Sequence, residues 1–91
     1  MRVALFGEAD LVAVEEINQR LLAVQHGGVR HVVLDLRRLT FVDSSALRLI
    51  LVWDAEYERD EISFTILPGP PAVHRVFEIA GVLERLPFIA A

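Results

Sequence analysis

Asp43-Ser44-Ser45 is the place in this chain where residue types and spacing suggest chemistry. An aspartate and two serines directly ahead of an apolar-periodic run read as the start of a helix. One of their side chains there accepts a hydrogen bond from an unpaired backbone N–H of the first turn. The partial positive charge at such a terminus also tolerates an anion, so a phosphoryl group on Ser44, adding about −1.5 to −2 charge, fits there. Other candidates carry less. His26, His31 and His74 are scattered, and no G-x-S-x-G elbow is present, so Ser44 has no hydrolytic triad. His74 and Glu78 stand four apart and share a helix face, but two ligands without a third make no metal site. Gly69 among prolines forms no phosphate loop. Arg37-Arg38 is a pair and not a basic patch; it reads as lining the loop before Ser44, within reach of an acidic partner or the phosphate. Asp35, in an apolar run, calls for a strand end or an arginine partner. No acid and base of matched character converge, so no catalytic residue, metal or cofactor is expected, and the chain is read as a non-enzyme.

The elements that must position Ser44 alternate strand and helix. Val3–Phe6 is a short apolar run closed by Gly7, the first strand. Residues 10–25 carry Val14, Ile17, Leu21, Leu22 and Val24 on one helical face, with Asp10 as N-cap and Gly27-Gly28 as terminator. His31–Leu36 is nearly continuous in apolar character, as a strand buried on both faces reads. Arg37–Thr40 is a polar break before Phe41-Val42, and a second helix runs from Asp43 or Ser44 to about Arg59. On it Ala46, Leu49, Ile50, Trp53 and Tyr57 form the core stripe. Leu47, Leu51 and Val52 lie beside that stripe, more apolar surface than a one-sided helix needs, and Arg48, Ala55 and Arg59 face away. Ile62–Leu67 is the third strand. Pro68–Pro71 launches a third helix with Ala72, Val73, Val76, Phe77 and Ala80 on its apolar face and Gly81 at its end. The tail 83–91 reads as a helical turn plus a short edge strand.

This order predicts βαβ units with right-handed crossovers. All strand-to-helix loops of a parallel sheet share one edge, so residues 7–10, 37–44 and 68–71 are expected to meet at the carboxyl edge, where open α/β sheets place their sites.

At 91 residues and 54% apolar, the chain is one domain, 1–91, able to hold a core without staples. It has no cysteine, which removes disulfides and thiol chemistry. Thirteen acidic against nine basic side chains argue against direct nucleic-acid binding. No apolar run is long enough to insert in a membrane, and the start lacks a secretory pattern, so a cytoplasmic location is expected.

Three segments in order resemble the STAS domains of anti-sigma factor antagonists. LDLRRLTFVDSSALRLIL resembles the signature in which DSSG or DSTG follows an apolar strand. Leu5-Phe6-Gly7-Glu8-Ala9-Asp10 resembles the family's hxGExD loop, and Pro71–Val82 its SPAVxRxFxxxGL helix. The resemblance spans nearly the whole chain. It implies an α/β fold, a single STAS-like domain with a mostly parallel sheet of about four strands and helices packed on it, lacking the family's first strand. It implies a partner-switching regulator: an anti-sigma factor serine kinase phosphorylates Ser44 using its own nucleotide, a serine phosphatase resets it, and attachment alternates accordingly. The docking face so implied comprises Gly7, Glu8, Asp10, Asp43, Ser44, Ser45, Arg48 and Val52. Ala46-Leu47-Arg48 replaces the family's Gly-Leu-Gly, which puts a charge on that face. An uncovered first strand offers an edge for homodimerisation. The alternative is a non-phosphorylated STAS subunit of a membrane transport complex, docked on an ATPase.

Overall fold

A computed structural model describes residues 1–89. Six elements follow in order: β1 Arg2–Ala9, α1 Val14–His26, β2 His31–Val42, α2 Ser44–Arg59, β3 Ser63–Leu67 and α3 Pro71–Ile79. The sheet is β1-β2-β3, with both pairs parallel. It has three strands where about four were expected. In place of a fourth strand, the tail makes a single parallel bridge, Phe88 with Ile66. The end of the expected tail strand, 90–91, lies outside the described residues.

Both crossovers step the same way across the sheet, which for right-handed units places α1 and α2 on one face. The two helices are joined there by Trp53 Nε1 donating to Asn18 Oδ1 at 2.8 Å and Tyr57 Oη donating to the Leu21 carbonyl at 2.8 Å. Val3, Leu5 and Ala9 of β1, Leu34, Leu36, Leu39 and Val42 of β2, and Ile17 and Leu21 of α1 are buried in one continuous core. Leu47 belongs to that core too, 7% exposed, while Leu49, placed by periodicity in the core stripe, is only half-buried. On α3, Val73 and Phe77 are buried and Ala72 and Ala80 exposed, so its core face is narrower than the sequence suggests.

The main departure is β2. The expected break at Arg37–Thr40 is strand, and β2 runs for 12 residues. Its pairing with β1 shifts between Ala4 and Phe6, which face Asp35 and Arg38, and again between Gly7 and Glu8, which face Leu39 and Phe41. Each shift inserts one extra β2 residue, a bulge. Buried positions therefore run Leu34, Leu36, Leu39, Val42, and the spacing of three hides the strand from a period-2 count. Gly7 sits at the second shift with φ +72°, a left-handed conformation that a side chain would strain. β1 correspondingly continues through Gly7 to Ala9 instead of closing at it.

β3 pairs only with His31–Asp35. The second half of β2 thus projects beyond β3 beside β1. The turn after β3 stays level with Leu36, where a Cβ on Gly69 would come within 2.8 Å of the Leu36 carbonyl oxygen. Six strand residues, 37–42, separate that level from Asp43, roughly 20 Å. The segments 7–10 and Asp43–Ser45 meet, as expected; residues 68–71 do not join them.

Candidate functional site

The site is built where β2 ends and α2 begins. Asp43 is extended (φ −113°, ψ −179°) and is the N-cap of α2. Its Oδ1 accepts from Ser45 N at 2.9 Å and Ala46 N at 3.1 Å. Its Oδ2 accepts from Leu11 N at 3.1 Å, and its own N–H donates to the Ala9 carbonyl at 3.1 Å. One carboxylate thus caps the helix and ties it to the turn that follows β1. Ser44, the first residue of α2, is exposed, with its side chain at the helix mouth and free of any intramolecular hydrogen bond among the described residues. Ser45 is half-buried.

The turn is fixed from its own side as well. Asp10 Oδ1 accepts from Ala13 N at 3.0 Å, and the Asp10 carbonyl accepts from Ala13 N and Val14 N, both at 3.1 Å. Asp10 therefore caps a turn ahead of the helix, and α1 starts at Val14 and not near residue 10. The turn lifts Leu11 and Val12 into solvent, 72% and 89% exposed. Sequence reasoning missed this pair. The available signal was two large apolar residues lying off the apolar stripe of α1.

Ser44, Arg48 and Val52 are spaced by four and line one ridge of α2. All three are exposed, Val52 at 54%. Eight residues of helix put Val52 about 12 Å from Ser44. Gly7 and Glu8 lie on the last part of β1, level with Leu39 and Phe41 of β2, Gly7 half-buried and Glu8 exposed. The eight expected docking residues therefore occupy one end of the sheet and one ridge of α2, joined by the Asp43–Leu11 bond.

The arginine pair does not serve this end. Arg37 closes on Asp35, Nε to Oδ1 at 3.0 Å and Nη2 to Oδ2 at 2.9 Å. The Arg37 hydrogen bonds hold the Asp35 carboxyl at about 2, aided by the Arg2 charge, while burial opposes. This is the arginine partner that Asp35 called for, and it removes Arg37 from the loop before Ser44. Arg38 is exposed beside Phe6. His74 packs edge-on against Phe88, centroids 5.0 Å apart, and no group of three or more metal-ligating side chains occurs among the described residues. A groove of about 490 Å³ lined by Pro68, His74, Leu83 and Phe88 lies beside α3, away from Ser44. No described helix is long and apolar enough to cross a membrane.

Comparison with known proteins agrees with this geometry. The domain family described as "Mlab, STAS domain" matches residues 1–87. The anti-sigma F factor antagonist of Lysinibacillus sphaericus is 33% identical over 81 residues, covering 88% of this chain and 69% of that protein. The anti-sigma factor antagonist SpoIIAA in its unphosphorylated form is similar with a TM-score of 0.79 at 31% identity, over 98% of this chain and 78% of that one. The phosphorylated form of the Bacillus cell fate determinant SpoIIAA gives 0.72 at 29% identity, over 98% and 81%.

Proposed function

The chain belongs to the STAS domain family, and from that premise we propose that it is an anti-sigma factor antagonist switched by phosphorylation of Ser44. The observation that carries the reading is the exposed Ser44 hydroxyl beside a carboxylate, Asp43, both of whose oxygens are already engaged. The partner is a cytoplasmic anti-sigma factor that is also a serine kinase and brings its own nucleoside triphosphate. Ser44 Oγ attacks the γ-phosphorus; the Oγ–P bond forms, the bond to the leaving diphosphate breaks, and the hydroxyl proton passes to a base on the kinase. A serine phosphatase hydrolyses the ester and restores the hydroxyl.

The unmodified docking face offers apolar contacts from Leu11, Val12 and Val52, with Arg48 between Val52 and Ser44. Its partner is a surface with apolar patches and a carboxylate opposite Arg48. A phosphate at Ser44 puts a dianion beside Asp43 in this interface. The first-turn N–H groups of Ser45 and Ala46 are occupied by Asp43, so the new charge is compensated mainly by water, which docking removes. Attachment is lost while the fold persists, because a helix N-terminus tolerates negative charge.

Incubation with a serine kinase of the anti-sigma type and labelled ATP tests this. Label is expected on Ser44 and absent from Ser44→Ala; equal labelling of that variant overturns the site. Affinity purification separates the transport-subunit alternative, in which an ATP-binding-cassette subunit is recovered as the main partner and Ser44→Asp leaves binding unchanged.

A further inference from the structure

Three arginines flank Ser44 in the chain, and the fold leaves one of them free to answer it. Arg37 is held by Asp35. Arg38 stands five residues before Asp43 on β2, roughly 15 Å back along the strand. Arg48 is exposed on the same ridge of α2 as Ser44. It takes no part in the ion pairs found among the described residues, which join Arg2 and Arg37 to Asp35 and Arg59 to Glu56. The sequence of α2 explains why. The positions three and four residues away on either side are Ser44, Ser45, Leu51 and Val52, with no carboxylate among them. A phosphate on Ser44 would be the first anion at helical spacing from this guanidinium. Backbone donors do not compete for it, since the N–H groups of Ser45 and Ala46 already serve Asp43.

We propose that Arg48 is the latch of the switch: phosphorylation of Ser44 draws its guanidinium onto the phosphate and away from the carboxylate of the partner. Four residues of helix carry Arg48 about 6 Å along the axis from Ser44 and about 40° around it. Helical side chains lean toward the N-terminus, so the long Arg48 stem is directed over the turn that holds Ser44. An anion on the N-terminal side of a cation at this spacing is the favourable order. A guanidinium grips a phosphate with two parallel N–H donors. Water still answers most of the new charge, because the pair is exposed and therefore modest. Its weight lies in where Arg48 is held. One covalent event both sets a dianion in the interface and withdraws the cation that attracted the partner. The inference rests on the Ser44 reading and gives that switch a second arm, built from a residue of this chain that stands where the STAS signature has glycine.

Phosphoserine installed at position 44 during translation separates the pair from any kinase. Urea unfolding of the unmodified and phosphorylated forms, each with and without Arg48→Gln, closes a double-mutant cycle. The phosphate is expected to favour the folded state about twofold to fivefold more in the presence of Arg48, an excess that fades in concentrated salt. Affinities of the same four forms for the purified anti-sigma partner close a second cycle. Arg48→Gln is expected to weaken attachment of the unmodified form and to shrink the loss on phosphorylation by about threefold or more, because a cation already removed cannot be withdrawn. Arg48→Lys keeps the charge without the fork and is expected to fall between. Absence of coupling in the first cycle overturns the latch. So does a loss on phosphorylation that Arg48→Gln leaves unchanged or widens, since Arg48 would then stay with the partner or screen the phosphate inside the complex. Equal affinity of the two wild-type forms is a different result, and it sinks the Ser44 switch itself together with its latch.

Discussion

Arg37 holds Asp35 from two positions further along the same strand, and it does so with its backbone as well as its side chain. Its N–H donates to Asp35 Oδ1 at 3.0 Å, alongside the bonds from Nε and Nη2. The register of β2 slips between Asp35 and Arg38. The slip frees a ladder N–H, and the Asp35 carboxylate takes it. This residue is thus the support of the bulge that lets β2 carry on toward Ser44.

A pH dependence follows. The Asp35 carboxyl titrates at about 2 in the folded chain against 3.8 without these partners. A lowered folded value means that ionised Asp35 contributes stability above 3.8 and that the contribution is lost as pH falls from 3.8 through about 2. Thermal midpoints measured from pH 5 to pH 2 are expected to fall more steeply for wild type than for Asp35→Asn. Parallel curves would remove the carboxylate from this role.

The N-cap can be dissected by changing one atom. In Asp43→Asn the remaining oxygen still accepts from Ser45 and Ala46, but the amide nitrogen cannot accept from Leu11 N. Asp43→Ala loses both functions. Asp43→Ala is expected to destabilise by about 1–2 kcal/mol and Asp43→Asn by about half of that. Hydrogen exchange at the Leu11 amide is expected to quicken in both, while the Ser45 and Ala46 amides stay protected in Asp43→Asn alone. Unchanged Leu11 exchange would show that the turn is held without Asp43.

Much of this was legible in the chain, and the rest was hidden for identifiable reasons. The start of α2 was readable because Asp43-Ser44 is local chemistry: a capping side chain directly before a periodic run. Its end at Arg59 and the strand at 63–67 were readable from periodicity. The length of β2 was not, because two inserted residues break alternation, and because Arg37, polar in sequence, is half of an ion pair. The start of α1 was missed because Asp10 caps a turn as readily as a helix. That misplacement put Leu11 and Val12 inside the helix, off its apolar stripe, where their exposure on a turn went unnoticed. The bond from Arg20 to the Ala4 carbonyl left no sequence trace, since its partner is a backbone oxygen 16 residues away.

Leu11 and Val12 offer a test of the docking face that leaves Ser44 intact. Both are too exposed to contribute to the core, so the double change to Ser should shift the melting temperature little. If the turn is gripped by the partner, losing two apolar contacts weakens attachment of unmodified protein by about tenfold or more. Arg48→Glu, on the next exposed position of the ridge, should add a repulsive contact of similar size. Calorimetry against the purified anti-sigma partner measures both, and full affinity in either variant moves the docking surface elsewhere.

Tyr57 tests the joint between the two helices that carry the site. It is fully buried, its hydroxyl donates to the Leu21 carbonyl, and burial pushes its own proton loss up to about 12. The ring is also wedged between Trp53 and Phe64, centroids 5.2 Å from each. Tyr57→Phe keeps the wedge and removes only the donor, leaving the Leu21 oxygen one partner short at the α1–α2 seam. A loss of about 1–2 kcal/mol in urea unfolding is expected, with no change in the slope of the transition. Tyr57→Ala removes the wedge as well and should cost at least about 3 kcal/mol. Because α2 is held to α1 at this joint and at Trp53–Asn18, the Phe variant should leave the Ser44 end unaltered. Phosphorylation of Tyr57→Phe at the wild-type rate, in protein still folded, is the result that separates this seam from the switch; a slowed rate would mean that the packing of α2 on α1 sets the position of Ser44.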